Sequence, residues 1–167
     1  MILEAVQPFR CADIGFKLAT EAWELDAYHA LRRRIFCAEQ GIFAEDDRDA
    51  IDERATPIVA LARMAGVSEE VAGVVRIWEE EPGEWFGGRL GTDREHRKNG
   101  NIGPGLIRLA VRTACRRGCA RFRATVQQRN VKLFERLGWS VTDEVVLFGI
   151  PHARMQAELS RFTGAAS

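Results

Sequence analysis

The residues best suited by type and spacing to do chemistry lie in Leu90-Gly91-Thr92-Asp93-Arg94-Glu95-His96-Arg97-Lys98-Asn99-Gly100-Asn101-Ile102-Gly103-Pro104-Gly105-Leu106-Ile107. A strand-like stretch runs into a cationic, glycine-rich turn, and the turn opens a helix with periodic apolar residues. N–H groups at a helix start are unpaired and sit at the positive end of its dipole, so such a turn can hold a phosphate. Arg97 and Lys98 add formal positive charge beside it, and Gly100, Gly103 and Gly105 let backbone and ligand come close. The chemistry implied is the grip of a strand–loop–helix unit on a pyrophosphate-bearing ligand.

The rest of the composition narrows the setting. Basic and acidic residues number 24 each, and a formal net charge of zero argues against a general nucleic-acid binder. Charge is unevenly placed, however. Glu45 to Glu53 is acidic apart from Arg48, while Arg32-Arg33-Arg34 and Arg94 to Lys98 are basic. The arginine triplet falls on a helix, where consecutive residues spread around the axis and make no single patch. Cys11, Cys37, Cys115 and Cys119 show no paired metal-ligand spacing, so reduced thiols and no metal are expected. With no apolar run of membrane-spanning length and no signal peptide, a cytoplasmic protein is expected.

Elements must position the turn. Ile14 to Thr20 reads as a first strand, and Trp23, Ala27, Ala30, Leu31, Ile35 and Ala38 mark a helix from Trp23 to Gln40 that Gly41 stops. After the acidic connector, Pro57 to Met64 and Val71 to Trp78 read as strands, with Gly66 and Ser68 in a hairpin between them. Trp85 to Thr92 is the next strand. A long helix from Ile102 to about Arg117 buries Ile102, Leu106, Leu109, Ala110 and Thr113, exposes Arg108, Arg112 and Arg116, and ends at Gly118. Ala120 to Val126 alternates as a strand, Val131 to Leu137 is a short helix, and Val141 to Ile150 supplies one or two closing strands. The order predicts one mixed α/β (α+β) domain over residues 1–167, with its core at about 14–155; the three-strand meander excludes a doubly wound dinucleotide fold.

Arg94-Glu95-His96-Arg97-Lys98-Asn99-Gly100-Asn101-Ile102-Gly103 resembles the acyl-CoA loop of the GNAT superfamily of N-acetyltransferases, with Arg94 for the usual proline and one extra residue, Asn101. Leu31 to Gln40 with Asp46, Asp47, Asp49 and Asp52 is similar to the helix and acidic loop of the ElaA-like branch. Phe134-Glu135-Arg136-Leu137-Gly138-Trp139 resembles the family's second signature, and Gly149-Ile150-Pro151-His152 the closing segment of that branch. The chain is also similar to GNAT proteins associated with nitrogen starvation and nitrilase clusters. The resemblance implies a central mixed, mostly antiparallel sheet flanked by helices and splayed between its fourth and fifth strands. It implies acetyl-CoA as cosubstrate and a small primary amine as acceptor, joined by direct attack in a ternary complex; a homodimer is possible, and no nucleic acid or membrane partner is implied.

On the same footing, the backbone of Leu90, Gly91 and Thr92 would hold the pantetheine arm and thioester, and Arg97, Lys98, Asn99, Gly100, Asn101, Ile102 and Gly103 the phosphates. Gln127 and Phe134 stand where the family has a cofactor-touching asparagine and a proton-donating tyrosine; phenylalanine has no proton to give, and Tyr28 is the only tyrosine. His152 is the acid/base candidate, because histidine titrates near neutrality. Glu39 is favoured among the acids for attracting the amine or taking its proton, ahead of Asp46, Asp47, Asp49 and Asp52, and His96 reads as packing. Cys37 reads as a spectator thiol. Two alternatives stand beside the transferase: an acyl-CoA sensor without turnover, and an enzyme like the acyl-homoserine-lactone synthases.

Overall fold

The computed structural model describes residues 13–63 and 69–163. Cys11, Met64, Gly66 and Ser68 lie outside them. Strands β1 (Asp13–Leu18), β2 (Thr56–Arg63), β3 (Glu69–Glu81) and β4 (Glu84–Thr92) form an antiparallel meander. The middles of β2 and β3 are buried without alternation, because a helix covers each face of the sheet there. Helix α1 (Ala22–Arg33) packs Tyr28 and Leu31 on Val59, Leu61 and Val74 of one face. Helix α2 (Ile102–Arg116) packs Ile102, Leu106 and Ala110 on Ile58, Ala60 and Ile77 of the other.

The α2 crossover lets β5 (Arg121–Gln127) return parallel to β4, the one parallel pair in the sheet. After the short helix α3 (Val131–Arg136), β6 (Trp139–Leu147) takes the edge and β7 (Ile150–Ala157) inserts between β5 and β6. The seven strands run β1-β2-β3-β4-β5-β7-β6. This is the expected mixed α/β arrangement, a mostly antiparallel sheet with flanking helices.

Several boundaries differ from those the sequence suggests, each for a long-range reason. The helix expected over Trp23 to Gln40 is α-helical only to Arg33 and continues as a π-helix over Arg34–Glu39, closed by Gln40 N–H donating to Ile35 O at 2.9 Å. The buried face also differs from the expected stripe: Trp23 and Ala38 are exposed, while Glu24 and Arg32 are buried beside Tyr28, Leu31, Ile35 and Phe36. The closing strands are longer than Val141 to Ile150 and turn at Phe148-Gly149, both with positive φ. Burial also extends past residue 155, to Ala157 and Phe162.

Helix α2 follows its periodicity: Ile102, Leu106, Ala110 and Thr113 are buried, though Leu109 is half-buried and Ile107, Val111 and Ala114 widen the stripe. Gly105 has a different purpose from the one its place in the loop suggests. It lies inside α2, and a Cβ there would sit 2.0 Å from Phe16 Cζ and 2.4 Å from two further ring atoms. The glycine lets α2 lie directly on the β1 side chain. Gly105→Ala is therefore expected to destabilise the fold by about 1–3 kcal/mol, as overpacking does; a denaturation midpoint equal to wild type would show that Phe16 can step aside.

Candidate active site

Four residue pairs, Glu84↔Arg121 to Gly87↔Ala124, join β4 to β5. Beyond them the strands part, although β4 runs to Thr92 and β5 to Gln127. From Gly88 to Thr92, β4 is paired with β3 on one side and presents an open edge to the gap on the other. The ladder is also interrupted here: Val74 pairs with Gly91 and Arg76 with Gly88, so Val75 faces both Arg89 and Leu90. Arg89 takes φ +53°, a left-handed conformation that costs a non-glycine residue about 1–2 kcal/mol. Its side chain holds it there, donating from Nε to Asp47 Oδ2 at 3.0 Å and from the guanidinium to the Asp47 carbonyl at 2.8 Å, and lying 4.5 Å over the Phe43 ring.

A cavity of about 290 Å³ occupies the gap and is lined by residues from both faces of the sheet. On the α2 face it is apolar, lined by Val75, Leu90, Ile107, Phe122, Phe134 and Trp139, all from the main core. On the α1 face it is mixed, with Gln40, Arg76, Arg89, Gln127 and His152 beside the aromatic rings of Phe36, Phe43, Trp78, Phe86 and Phe148. A second cavity, of about 390 Å³, lies at the ends of the π-helix, β5 and the start of β7, between Glu39, Gln40, Gln127, Gln128, Arg129, Ile150 and Pro151.

The acidic connector is held by arginines. Arg32, fully buried, donates to Asp47 at 2.7 Å and to Asp52 at 2.6 and 3.0 Å, and its guanidinium also donates to Tyr28 Oη at 3.1 Å. Arg76 forks onto Asp49 at 2.7 and 2.9 Å. Burial works to raise the Asp52 carboxyl, but the Arg32 bond and an N–H from Asp49 hold it well below the usual carboxylate range. The Arg76 fork likewise keeps the Asp49 carboxyl low against burial. Asp47, Asp49 and Asp52 are thus engaged as structural anions, and Asp46 is exposed near Arg48. A lone arginine inside the apolar run Val71 to Trp78 was the signal for Arg76, since a buried cation needs an acid partner. Nothing local in the sequence marks Arg89 or Arg129.

The glycine-rich turn has the expected form, with differences in detail. Asp93 to Asn99 is closed by N–H bonds from His96 to Asp93 O and from Asn99 to His96 O, and α2 begins at Ile102. The inserted Asn101 donates its N–H to Asn99 Oδ1 at 3.0 Å. The Gly100 and Gly103 amides have no hydrogen-bond partner among the described residues, and Pro104 contributes no N–H. Arg97 folds back, donating from Nε to Thr92 O at 3.1 Å and pairing with Glu39. Lys98 is exposed.

His152 sits third in β7, paired with Gln127 of β5, with 7% of its surface exposed at the cavity wall. Its Nδ1 is 2.7 Å from Ile150 O; a carbonyl can only accept, so Nδ1 carries the proton and Nε2 of the neutral ring is left with a lone pair. Gln127 donates to Gln40 at 3.0 Å across the gap. Phe134 is buried edge-on against Trp139, with ring centroids 5.1 Å apart. Tyr28 is buried in α1 and does not line the cavity, so it is no substitute acid. His96 Nε2 meets Glu70 at 2.6 Å. Burial and the nearby Asp47 and Asp46 raise the Cys37 thiol, which disfavours its thiolate. Among the described residues no three His, Cys, Asp or Glu side chains are placed to hold a metal ion together, and no helix is long and apolar enough to cross a membrane.

The model of the acetyltransferase (GNAT) family matches residues 16–139, from β1 through the start of β6. The chain belongs to this family. No curated protein sequence matches it. Among solved structures, Escherichia coli ElaA is similar at 18% identity and a TM-score of 0.72, covering 88% of this chain and 99% of its own. An acyl-CoA N-acyltransferase from Pseudomonas aeruginosa is similar at 22% identity and 0.69, covering 87% and 99%. The AHL synthase LasI is similar at 16% identity and 0.66, covering 91% and 95%. At these identities the likeness is one of fold. As a GNAT acyltransferase, the protein carries an acyl-transfer scaffold whose splayed strands enclose the cavity described above.

Proposed function

We propose that this GNAT protein moves an acetyl group from acetyl-CoA to a small primary amine by direct attack in a ternary complex. The observation that carries this reading is a single cavity in the gap lined from both faces of the sheet, apolar on the α2 face and carrying His152, Gln127 and Gln40 on the α1 face. A thioester and an amine approaching from opposite faces would meet in one water-poor space, which direct transfer needs. The open edge of β4 at Leu90, Gly91 and Thr92 would pair with the pantetheine amides as a further strand would. The Gly100 and Gly103 amides, with Arg97, Lys98, Asn99, Asn101 and Ile102 around them, would take the pyrophosphate at the start of α2.

In the step itself the amine nitrogen bonds to the thioester carbon, the C–S bond breaks, and the ammonium proton passes to His152 Nε2. Phe134 offers no proton, so the sulfur would leave as thiolate and take its proton from solvent. Glu39, paired with Arg97, would serve the amine only after that pair opens. Phe134 is also the observation that favours a second reading, an acyl-CoA sensor without turnover.

Thiol release measured with acetyl-CoA and an amine panel, beside thermal shift with acetyl-CoA alone, separates the two. Release with at least one amine supports the transferase; stabilisation without release for any amine supports the sensor. Replacing Arg97 and Lys98 together with alanine is expected to weaken CoA binding by about tenfold or more, since each charge-assisted contact is worth about 1.5–3 kcal/mol. Unchanged affinity by calorimetry would remove the turn from the donor site.

A further inference from the structure

Resting on the transferase reading, we infer that the acceptor is an amine that also carries a carboxylate, and that Arg129 receives that carboxylate. Arg129 lies in the turn Gln128–Asn130 that follows β5 and lines both cavities. Its side chain has no carboxylate within ion-pair distance among the described residues. The other arginines that line the first cavity, Arg76 and Arg89, are already held by Asp49 and Asp47. The one carboxylate lining either cavity is Glu39, and Arg97 engages it. An acceptor with a second positive charge would therefore meet arginine and no free acid, whereas a carboxylate would meet the exposed Arg129 guanidinium, which has no acid partner among the described residues and can bind it through two N–H groups.

The spacing suits a small molecule. His152 pairs with Gln127, and Arg129 is two residues beyond Gln127 in the same chain segment. His152 and Arg129 are thus backbone neighbours on one stretch of the cavity wall, so a small acceptor could address both. The residues around Arg129 in the second cavity come from the π-helix, β5 and β7, and none from the glycine-rich turn or α2, which sets it on the acceptor side.

The test compares amino acids with their decarboxylated amines as matched pairs, by thiol release with acetyl-CoA, in wild type, R129A and R129K. Wild type is expected to favour the carboxylated member at least tenfold in kcat/KM. R129A should raise KM for that member at least tenfold, leave the decarboxylated partner within about threefold and leave acetyl-CoA affinity unchanged, and R129K should recover part of the loss. Equal losses for both members of each pair, a preference for the decarboxylated amines, or a matching loss of acetyl-CoA affinity would overturn the assignment while leaving the transferase reading intact. Absence of turnover with every amine would defeat the transferase reading, and this inference with it.

Discussion

Replacing Arg32 with methionine is expected to lower stability by about 3–5 kcal/mol, the cost of breaking a buried ion pair from one side. Arg32 is the largest fully buried side chain and joins α1 to two points of the acidic connector. Without it, Asp47 keeps only Arg89, and Asp47 Oδ1 already lacks a partner. Asp52 keeps Arg76 at 3.0 Å and a bond from the Asp49 N–H. Urea denaturation measures the loss directly, and a change below about 1 kcal/mol would mean the connector is held by something else.

The same pairs give the acid response its sign. The Asp49 and Asp52 carboxyls lie below their ordinary values in the folded protein, so the unfolded chain takes up their protons first as pH falls. Their contribution is complete above the ordinary carboxylate pKa of about 4 and is lost below it, as pH drops through the depressed folded values. In the Arg32→Met variant Asp52 loses the partner that holds it low, so acid unfolding should move to higher pH. The connector also carries Asp47, which steadies the left-handed Arg89 on the cavity wall, so loss of Arg32 should blunt activity even in molecules that remain folded.

Replacing His152 with alanine is expected to reduce turnover by about 10²–10⁴-fold, the usual worth of a positioned general base, with acetyl-CoA affinity unchanged. The Ile150 carbonyl fixes the tautomer, so that Nε2 holds its lone pair in the cavity wall beside Gln127. Steady-state thiol release with an accepted amine, together with calorimetry for acetyl-CoA, separates loss of chemistry from loss of binding. Full activity in the variant would return His152 to bonding the backbone of its own strand.

Much of the frame was legible because it is local. Helix α2 runs from Ile102 to Arg116 as its apolar period and Gly118 require, and β5 alternates Phe122, Ala124 and Val126 inward. The glycine-rich turn was readable for the same reason. What escaped reading depends on partners distant in sequence. Arg32 looks like one of three solvated arginines until Asp47 and Asp52 arrive 15 and 20 residues later. Gly105 looks like part of a ligand loop until Phe16, far back in the chain, occupies the space its side chain would need. The π-helical turn that brings Gln40 to the cavity has no pattern of its own, since it depends on how α1 lies on the sheet.

The sequence by itself determined which segments become helices and strands, where the cationic turn falls, and that Phe134 cannot give a proton, because periodicity and residue chemistry act over a few neighbours. Tertiary structure alone decided that β4 and β5 part after Gly87, that Asp47, Asp49 and Asp52 of the acidic connector are held by Arg32, Arg76 and Arg89, and that Arg129 lines the cavity with no carboxylate partner among the described residues. Those facts arise from the meeting of segments far apart in the chain. Burial requires each desolvated charge to find its opposite, and which acids meet Arg32, Arg76 and Arg89 is decided only when the chain has closed.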